Sequence, residues 1–340
     1  MSRRTTRRQS GFTLLEMIIV LALIGIVTVV LAPLVQWLRT SMQQTAQQQA
    51  VLDNHRLAAA LQSYSGANTP LGTLPTPYSG GGYVDTVYNP SDTTAPGLAL
   101  AQQILQSGVS PTAVNDDGTA AHNVRVYQLI SGLSQPSPLY TQSGPLVVLT
   151  YQLGALYQTQ CSLAVGTCST TLGASATLTT SNAATWTTTP PDGAPTLVST
   201  LPLQQSMLST TVERLDHVRD QLTGYFRDAQ IAGAAGDPTN FYPTSAPSLA
   251  GASPTSNQGC HDGWYDLTSA SVLPTVGLSS QEYGVTAWGG HVEYCRDYDP
   301  TNSKAADAPP HYSAVRINVD VSHGLNPDPA VAGNNVILSF

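Results

Sequence analysis

The feature that most constrains this chain is a nearly unbroken apolar stretch near its N-terminus, from Met17 to Val35. A helix of this length crosses the hydrocarbon core of a bilayer, which is about 30 Å thick. Helical geometry is required there, because lipid offers no partner to an unpaired backbone amide. Arginine occupies positions 3, 4, 7 and 8, ahead of the stretch, and no acidic residue lies among them. This charge distribution predicts a cytoplasmic N-terminus and export of the bulk of the chain.

Glu16 is the anomaly, because it places a carboxylate at the head of the apolar stretch. A charged side chain within the hydrocarbon costs about 2.5–3.5 kcal/mol even on the lenient insertion scale, so such residues usually have a functional partner. The free amides and the positive dipole end of a helix N-terminus supply part of the compensation. A nearby α-amino group would compensate the charge more completely.

The run G-F-T-L-L-E at residues 11–16, followed by an apolar helix, resembles the N-terminus of type IV prepilins and type II secretion pseudopilins. The resemblance implies that prepilin peptidase cleaves after Gly11 and that Phe12 becomes the N-methylated first residue. It also implies that Glu16 neutralises the Phe12 amine of a neighbouring subunit during assembly. Pro33 falls where many family members carry a proline, and it would kink or locally melt the helix.

Two other interpretations compete with this one. A Sec signal peptide also has a basic start and an apolar run, but it ends in a small-residue cleavage site. The only candidate site, residues 30–32, is followed by Pro33, where cleavage is unfavourable. A plain membrane anchor would leave Glu16 unexplained, so the pilin interpretation is favoured.

Composition narrows the class of protein further. Charged residues make up 10% of the chain, the formal net charge is −8, and the only lysine is Lys304. An acidic surface argues against general nucleic-acid binding, which needs basic patches to displace counterions. The sequence contains no zincin helix, nucleophile elbow or phosphate-binding glycine loop, so we expect neither an enzyme nor a cofactor.

The chain divides into four segments by residue composition and apolar periodicity. Residues 1–11 form the basic leader, and residues 12–65 form one long helix, since the amphipathic period continues past Pro33 and no Gly or Pro occurs until Gly66. Residues 66–203 are rich in Thr, Ser, Gly and Pro and read as a β-type head, with β-prone runs starting at Val124 and Leu146 and a brief helix at 99–105. Residues 204–340 contain a second helix and a β-rich C-terminal region.

The second amphipathic helix is predicted from about Pro202 to Ile231. It suggests two tandem pilin-like units, each a helix leading into a small sheet. The segment 313–321 alternates strongly and is predicted to be a strand.

Two C-terminal elements resemble parts of pseudopilins. Trp288-Gly289-Gly290, followed by Tyr294, is similar to an element of their sheet, although Thr286 stands where an aspartate is common. The segment 333–338 resembles a closing segment whose acidic surroundings hold calcium in the major pseudopilin. Asn334 and Asn335 offer neutral oxygens there, and this argues against calcium, which favours carboxylates.

Four cysteines in an exported chain predict disulfides. Cys161 and Cys168 bracket a small loop, which favours a local disulfide over a metal pair. Cys260 and Cys295 are the second pair, and a disulfide between them would close a C-terminal loop. The alternative is a tetrahedral zinc site that adds the two neighbouring histidines, His261 and His291, to these cysteines.

We therefore expect an α+β protein, with a long helical spine whose first half is transmembrane, packed on a β-rich head. The resemblance implies a structural subunit of a type IV pilus or a type II secretion-like filament. Its partners would be prepilin peptidase, other pilins and the inner-membrane assembly platform, with the head in the periplasm or on an extracellular filament. The alternatives are a filament-tip adhesin whose Thr/Ser-rich centre contacts a surface and, more weakly, a membrane-anchored periplasmic metalloenzyme.

Overall fold

The protein is an α+β protein with antiparallel sheets. The computed structural model describes residues 14–67, 71–77, 102, 106–108, 124–139, 146–159, 178–187, 194–244, 257–301, 303–328 and 330–340. The chain divides into two compact units, Met1–Arg56 and Leu57–Phe340. The β-structure of the described residues and the second long helix belong to the second unit.

Helix α1 runs over Leu14–Ala67. Within the second unit its last turns bury Leu57 and Leu61, which are four residues apart and so lie on one face of the helix. They pack with Tyr127 and Leu156 of the first sheet. Among the residues that the structure describes, no helix combines the length and the apolar character needed to cross a membrane.

The first sheet has three strands in the order β1-β2-β3, namely Val124–Pro138, Leu146–Thr159 and Thr196–Ser199. Strands β1 and β2 form a long antiparallel hairpin, and its register shifts between Ile130 and Leu133. Gly132 lies in this bulge with a φ of +75°, a conformation that side chains other than hydrogen disfavour. The strands start where the two β-prone runs of the sequence predict them.

Helix α2 spans Leu201–Ala232, in agreement with the helix predicted from about Pro202 to Ile231. Pro202 fits the first turn, where its missing N–H has no intrahelical acceptor. The buried residues recur every three or four positions and form one stripe: Gln204, Met207, Leu208, Thr211, Leu215, Val218 and Leu222. The remaining positions are partly or fully exposed, so the helix is amphipathic.

The second sheet has four antiparallel strands in the order β4-β5-β6-β7. They are Tyr265–Asp266, Glu293–Cys295, Ala314–Asn318 and Asn335–Ser339. Two single-turn α-helices, Val272–Thr275 and Ser280–Tyr283, and two 3₁₀ turns, Val321–His323 and Ala332–Asn334, lie between them.

One hydrophobic core joins α2 to both sheets. Leu215 and Leu222 of α2 belong to the same cluster as Leu149 of β2 and as Tyr294 and Ile317 of the second sheet. All five side chains are almost completely buried. Helix α2 therefore covers a face of the second sheet and also contacts the first.

Several predictions differ in detail from the structure. The strand predicted over 313–321 ends at Asn318, because Asp320 accepts the N–H of Ser322 at 2.9 Å and begins a 3₁₀ turn. Helix α2 starts three residues before the predicted segment boundary at 204. Within 162–200, the described residues form turns at 180–185 and strand β3. The helix predicted at 99–105 lies outside the described residues apart from position 102, which is helical.

The core position of α2 yields a stability prediction. Leu222 is 0% exposed, so Leu222→Ala should lower the free energy of unfolding by about 2–5 kcal/mol through lost burial and a residual cavity. The matched control is Ile231→Ala on the same helix, where the side chain is 83% exposed and the change should stay within about 0.5 kcal/mol. Urea denaturation of the full chain measures both, and equal effects would contradict the assigned packing.

Candidate functional site

The site that the sequence indicates is the N-terminal segment. Gly11 and Phe12 lie outside the described residues. Glu16 lies in α1, among its first described residues, and its pairing with the Phe12 amine of a neighbour stays a prediction.

Pro33 is exposed and lies inside α1. The assigned helix is continuous through this position, although proline removes the N–H that would bond to the carbonyl of Val29. The kink expected at Pro33 stays a prediction.

Cys260 and Cys295 form a disulfide, with their Cα atoms 5.8 Å apart. Trp264, Tyr298 and Ala314 pack around the buried bridge. By closing a chain segment with a sequence separation of 35, such a bridge stabilises the fold by about 2–5 kcal/mol. Cys161 and Cys168, the predicted local pair, lie outside the described residues.

The zinc alternative does not form, because the two sulfurs are bonded to each other. The two histidines of the zinc alternative lie near carboxylates instead. His261 Nε2 lies 4.0 Å from Asp299 Oδ2, and His291 Nε2 lies 3.3 Å from Glu293 Oε1. Within the described ranges, no group of three or more His, Cys, Asp and Glu side chains is placed to hold a metal ion.

A buried ion pair joins two strands of the second sheet. The guanidinium of Arg316 donates to the carboxylate of Glu293, and the two side chains are about equally inaccessible. Arg316 Nη1 donates to Gln258 Oε1 at 3.0 Å, and its Cζ lies 4.2 Å from the centre of the Trp264 ring. Burial lowers the pKa of Arg316, and the Glu293 carboxylate opposes that shift. The ion pair finds its hydrogen-bonding partners within the protein. We therefore assign these side chains a structural role.

Sequence reasoning missed this network. The sequence alone assigns no role to Glu293 or to Arg316. Arg316 stands at a polar position of the alternating segment 313–321, as Asn318 and Asp320 do, and this pattern predicts a solvent-facing side. In the structure both faces of β6 are buried, and Glu293 on the neighbouring strand is the partner of Arg316.

The turn that resembles the pseudopilin element is held by Thr286. Its Oγ1 accepts the N–H of Gly290 at 3.1 Å and donates to the carbonyl of Gly324 at 2.6 Å. An ionised aspartate would accept the first bond but has no proton for the second. The two backbones approach so closely that a Cβ on Gly290 would overlap the Gly324 carbonyl.

The loop before β7 is closed by an amide. Asn335 Nδ2 donates to the carbonyl of Asp328 at 2.8 Å and to Gln258 Oε1 at 2.9 Å. Its Oδ1 accepts the N–H of Asp328 at 3.0 Å and Asn318 Nδ2 at 3.1 Å. Both ends of this side chain are already engaged with protein groups and neither is charged. Asn335 is therefore a structural link within this loop, and the expectation that the loop binds no calcium stays a prediction.

Comparisons with known proteins agree with the N-terminal motif. Residues 6–32 match the family model described as the prokaryotic N-terminal methylation motif. The type II secretion system core protein G of Aeromonas hydrophila is 30% identical over 143 residues, which cover 36% of this chain and 98% of that protein. No solved structure matches the chain at a significant level.

The first match defines the class, proteins with an N-terminal methylation motif, which type IV pilins carry. The second covers nearly the whole of a core component of a secretion system. The chain belongs to the pilin and pseudopilin family.

The contact between His291 and Glu293 predicts a pH dependence. The hydrogen bond that the protonated His291 Nε2 donates to the Glu293 carboxylate raises the pKa of His291 above its ordinary value of 6.5, and partial burial opposes this shift. The protonated form therefore stabilises the folded state fully below the unfolded pKa, and this contribution is lost as the pH rises through the folded-state pKa.

We expect the free energy of unfolding to fall in part through this group as the pH rises past the ordinary histidine pKa of about 6.5, as measured by urea denaturation across neutral pH. His291→Asn should flatten the slope in that window. The control variant is His55→Asn, at an exposed position of α1. A slope that is unchanged in His291→Asn would contradict the assignment.

Proposed function

We propose that this chain is a structural, non-enzymatic subunit, a minor pilin or pseudopilin, of a type IV pilus or type II secretion-like filament. The observation that carries the proposal is the methylation motif at residues 6–32, which contains the run G-F-T-L-L-E. The similarity to type II secretion system core protein G supports it.

In this proposal, the subunit is first stored in the inner membrane, with its leader in the cytoplasm and its head in the periplasm. The apolar stretch and the four leading arginines support this arrangement. Prepilin peptidase cleaves after Gly11, Phe12 is N-methylated, and the assembly platform passes the subunit into a filament. There it packs through its N-terminal helix against other pilins.

The size of the head supports a minor position. The chain has 340 residues, and the similarity to core protein G covers 36% of them. The described head contains two sheets and a second long helix. Bulk of this kind is accommodated most easily at a filament tip. A tip subunit that binds a surface is the second candidate, and the uncharged cleft described in the next subsection is the observation that favours it.

Glu16 provides the mechanism by which the proposed subunit assembles into a filament. In the membrane, the carboxylate stays near the helix start, where dipole and interfacial water limit its cost. In a filament, packed helices exclude water, so the carboxylate needs a cation, and the Phe12 amine of a neighbour provides it. Removing one partner of a buried ion pair costs about 3–5 kcal/mol, because the other charge is left uncompensated.

Processing is the first test. Intact-mass and N-terminal analysis of the membrane-extracted protein should show a chain that begins at methylated Phe12. Gly11→Leu, which replaces the small residue before the cut, should retain the leader. A chain that starts at Met1 in the wild type, or after Ala32, would overturn the family-derived processing.

Assembly is the second test. Glu16→Ala should leave export and cleavage intact but reduce incorporation into sheared filaments by at least about a hundredfold, as expected for a loss of about 3–5 kcal/mol. Glu16→Asp should retain part of the incorporation, and Glu213→Ala, at an exposed position of α2, should behave like the wild type. Normal incorporation of Glu16→Ala, with cross-links to subunits on both sides, would contradict the charge-pairing mechanism.

A further inference from the structure

A cleft of about 610 Å³ lies in the second compact unit, where the first sheet meets the start of α2. Its walls come from segments that are far apart in sequence, represented by Gly72, Ser131, Gln152, Gln204 and Trp288. The volume falls within the range of about 300–1,000 Å³ that is typical of small-ligand sites. No residue of the cleft belongs to the N-terminal motif.

None of the described residues that line the cleft is charged, although the chain has a net charge of −8. The polar groups are hydroxyls and side-chain amides, such as those of Ser131, Thr150 and Gln152, which donate and accept hydrogen bonds. Tyr151 and Trp288 add aromatic rings. An ionic ligand would lose its hydration here without meeting an opposite charge, which is unfavourable. The uncharged lining of the cleft therefore favours a neutral ligand.

The walls are held together by hydrogen bonds between segments. Trp288 Nε1 donates to Gln204 Oε1 at 2.7 Å, which joins the turn before β5 to α2. Gln152 Oε1 accepts the N–H of Leu74 at 2.6 Å, which joins β2 to the loop after α1. A cleft whose walls are fixed before binding loses less conformational entropy when a ligand enters.

Part of the backbone around the cleft is closed to a peptide ligand. An extended peptide binds mainly through main-chain hydrogen bonds. Here the N–H of Gly72 donates to Ser65, that of Gly289 to Thr286, and that of Gly324 to Val321. These amides are therefore already occupied. What the cleft offers is side-chain hydroxyls, amides and aromatic faces.

We propose that this cleft binds a neutral glycan, a ligand that combines many hydroxyl groups with apolar C–H faces. The hydroxyls of Ser131 and Thr150 and the side-chain N–H groups of Gln152 supply the hydrogen bonds, and Tyr151 and Trp288 supply the flat apolar surfaces. The inference deepens the second candidate function, binding at a filament tip, and rests on it. It does not depend on the assembly role of Glu16.

The test is isothermal titration of the purified full chain with two neutral probes, chitotetraose and maltotetraose, in separate experiments. Ser131→Arg and Thr150→Arg each place a long charged side chain at an exposed position of the lining. The matched control is Ser339→Arg, at an exposed strand position outside the cleft. The melting temperature of every variant establishes that it is folded.

We expect at least one probe to bind the wild type and the control equally, and to bind each folded cleft variant at least about tenfold more weakly, since an unpaired charge now faces the ligand. Binding of chitotetraose alone would identify an N-acetylated glycan, and binding of maltotetraose alone a plain hexose chain. The proposal is overturned if neither probe binds or if both cleft variants bind like the wild type. Incorporation of Ser131→Arg into filaments, measured in parallel, reports on assembly separately.

Discussion

The burial of α2 is the interaction on which the head of this protein depends. Its stripe of apolar residues is long enough to contact the first sheet through Leu149 and the second sheet through Tyr294 and Ile317. Each sheet needs a cover for one apolar face, and α2 contributes to both. The two sheets therefore share part of one core, so they are expected to unfold together rather than as independent modules.

The elements predicted best from the sequence are those with a strong local period. Helix α2 and the starts of β1 and β2 follow from apolar spacing, which acts over a few residues. The strand predicted over 313–321 extends past the end of β6. The alternating pattern continues through Asp320, but the short side chain of this residue starts a turn there. Periodicity does not report this local hydrogen bond.

The side-chain contacts between segments that are distant in sequence were harder to predict. The pair Arg316–Glu293 joins residues 23 positions apart, and the bond between Trp288 and Gln204 joins residues 84 positions apart. Each of these contacts depends on how strands and helices pack. The sequence pattern of one segment does not show which residue of the other segment it will contact. The N-terminal motif is the opposite case, because its residues are adjacent in sequence and were recognisable without a fold.

Asn335 has a consequence for the ageing of the protein. Its amide nitrogen donates to two oxygens, the carbonyl of Asp328 and Oε1 of Gln258. Spontaneous hydrolysis of the amide would replace this nitrogen by a carboxylate oxygen, which turns both attractions into repulsions between acceptors. The chemical change is confined to one side chain, but it would loosen the loop before β7 from Gln258, while the bond from Asn318 Nδ2 to the remaining oxygen would be kept. Ageing by hydrolysis at this position would therefore weaken the loop and leave the link between β6 and β7 in place.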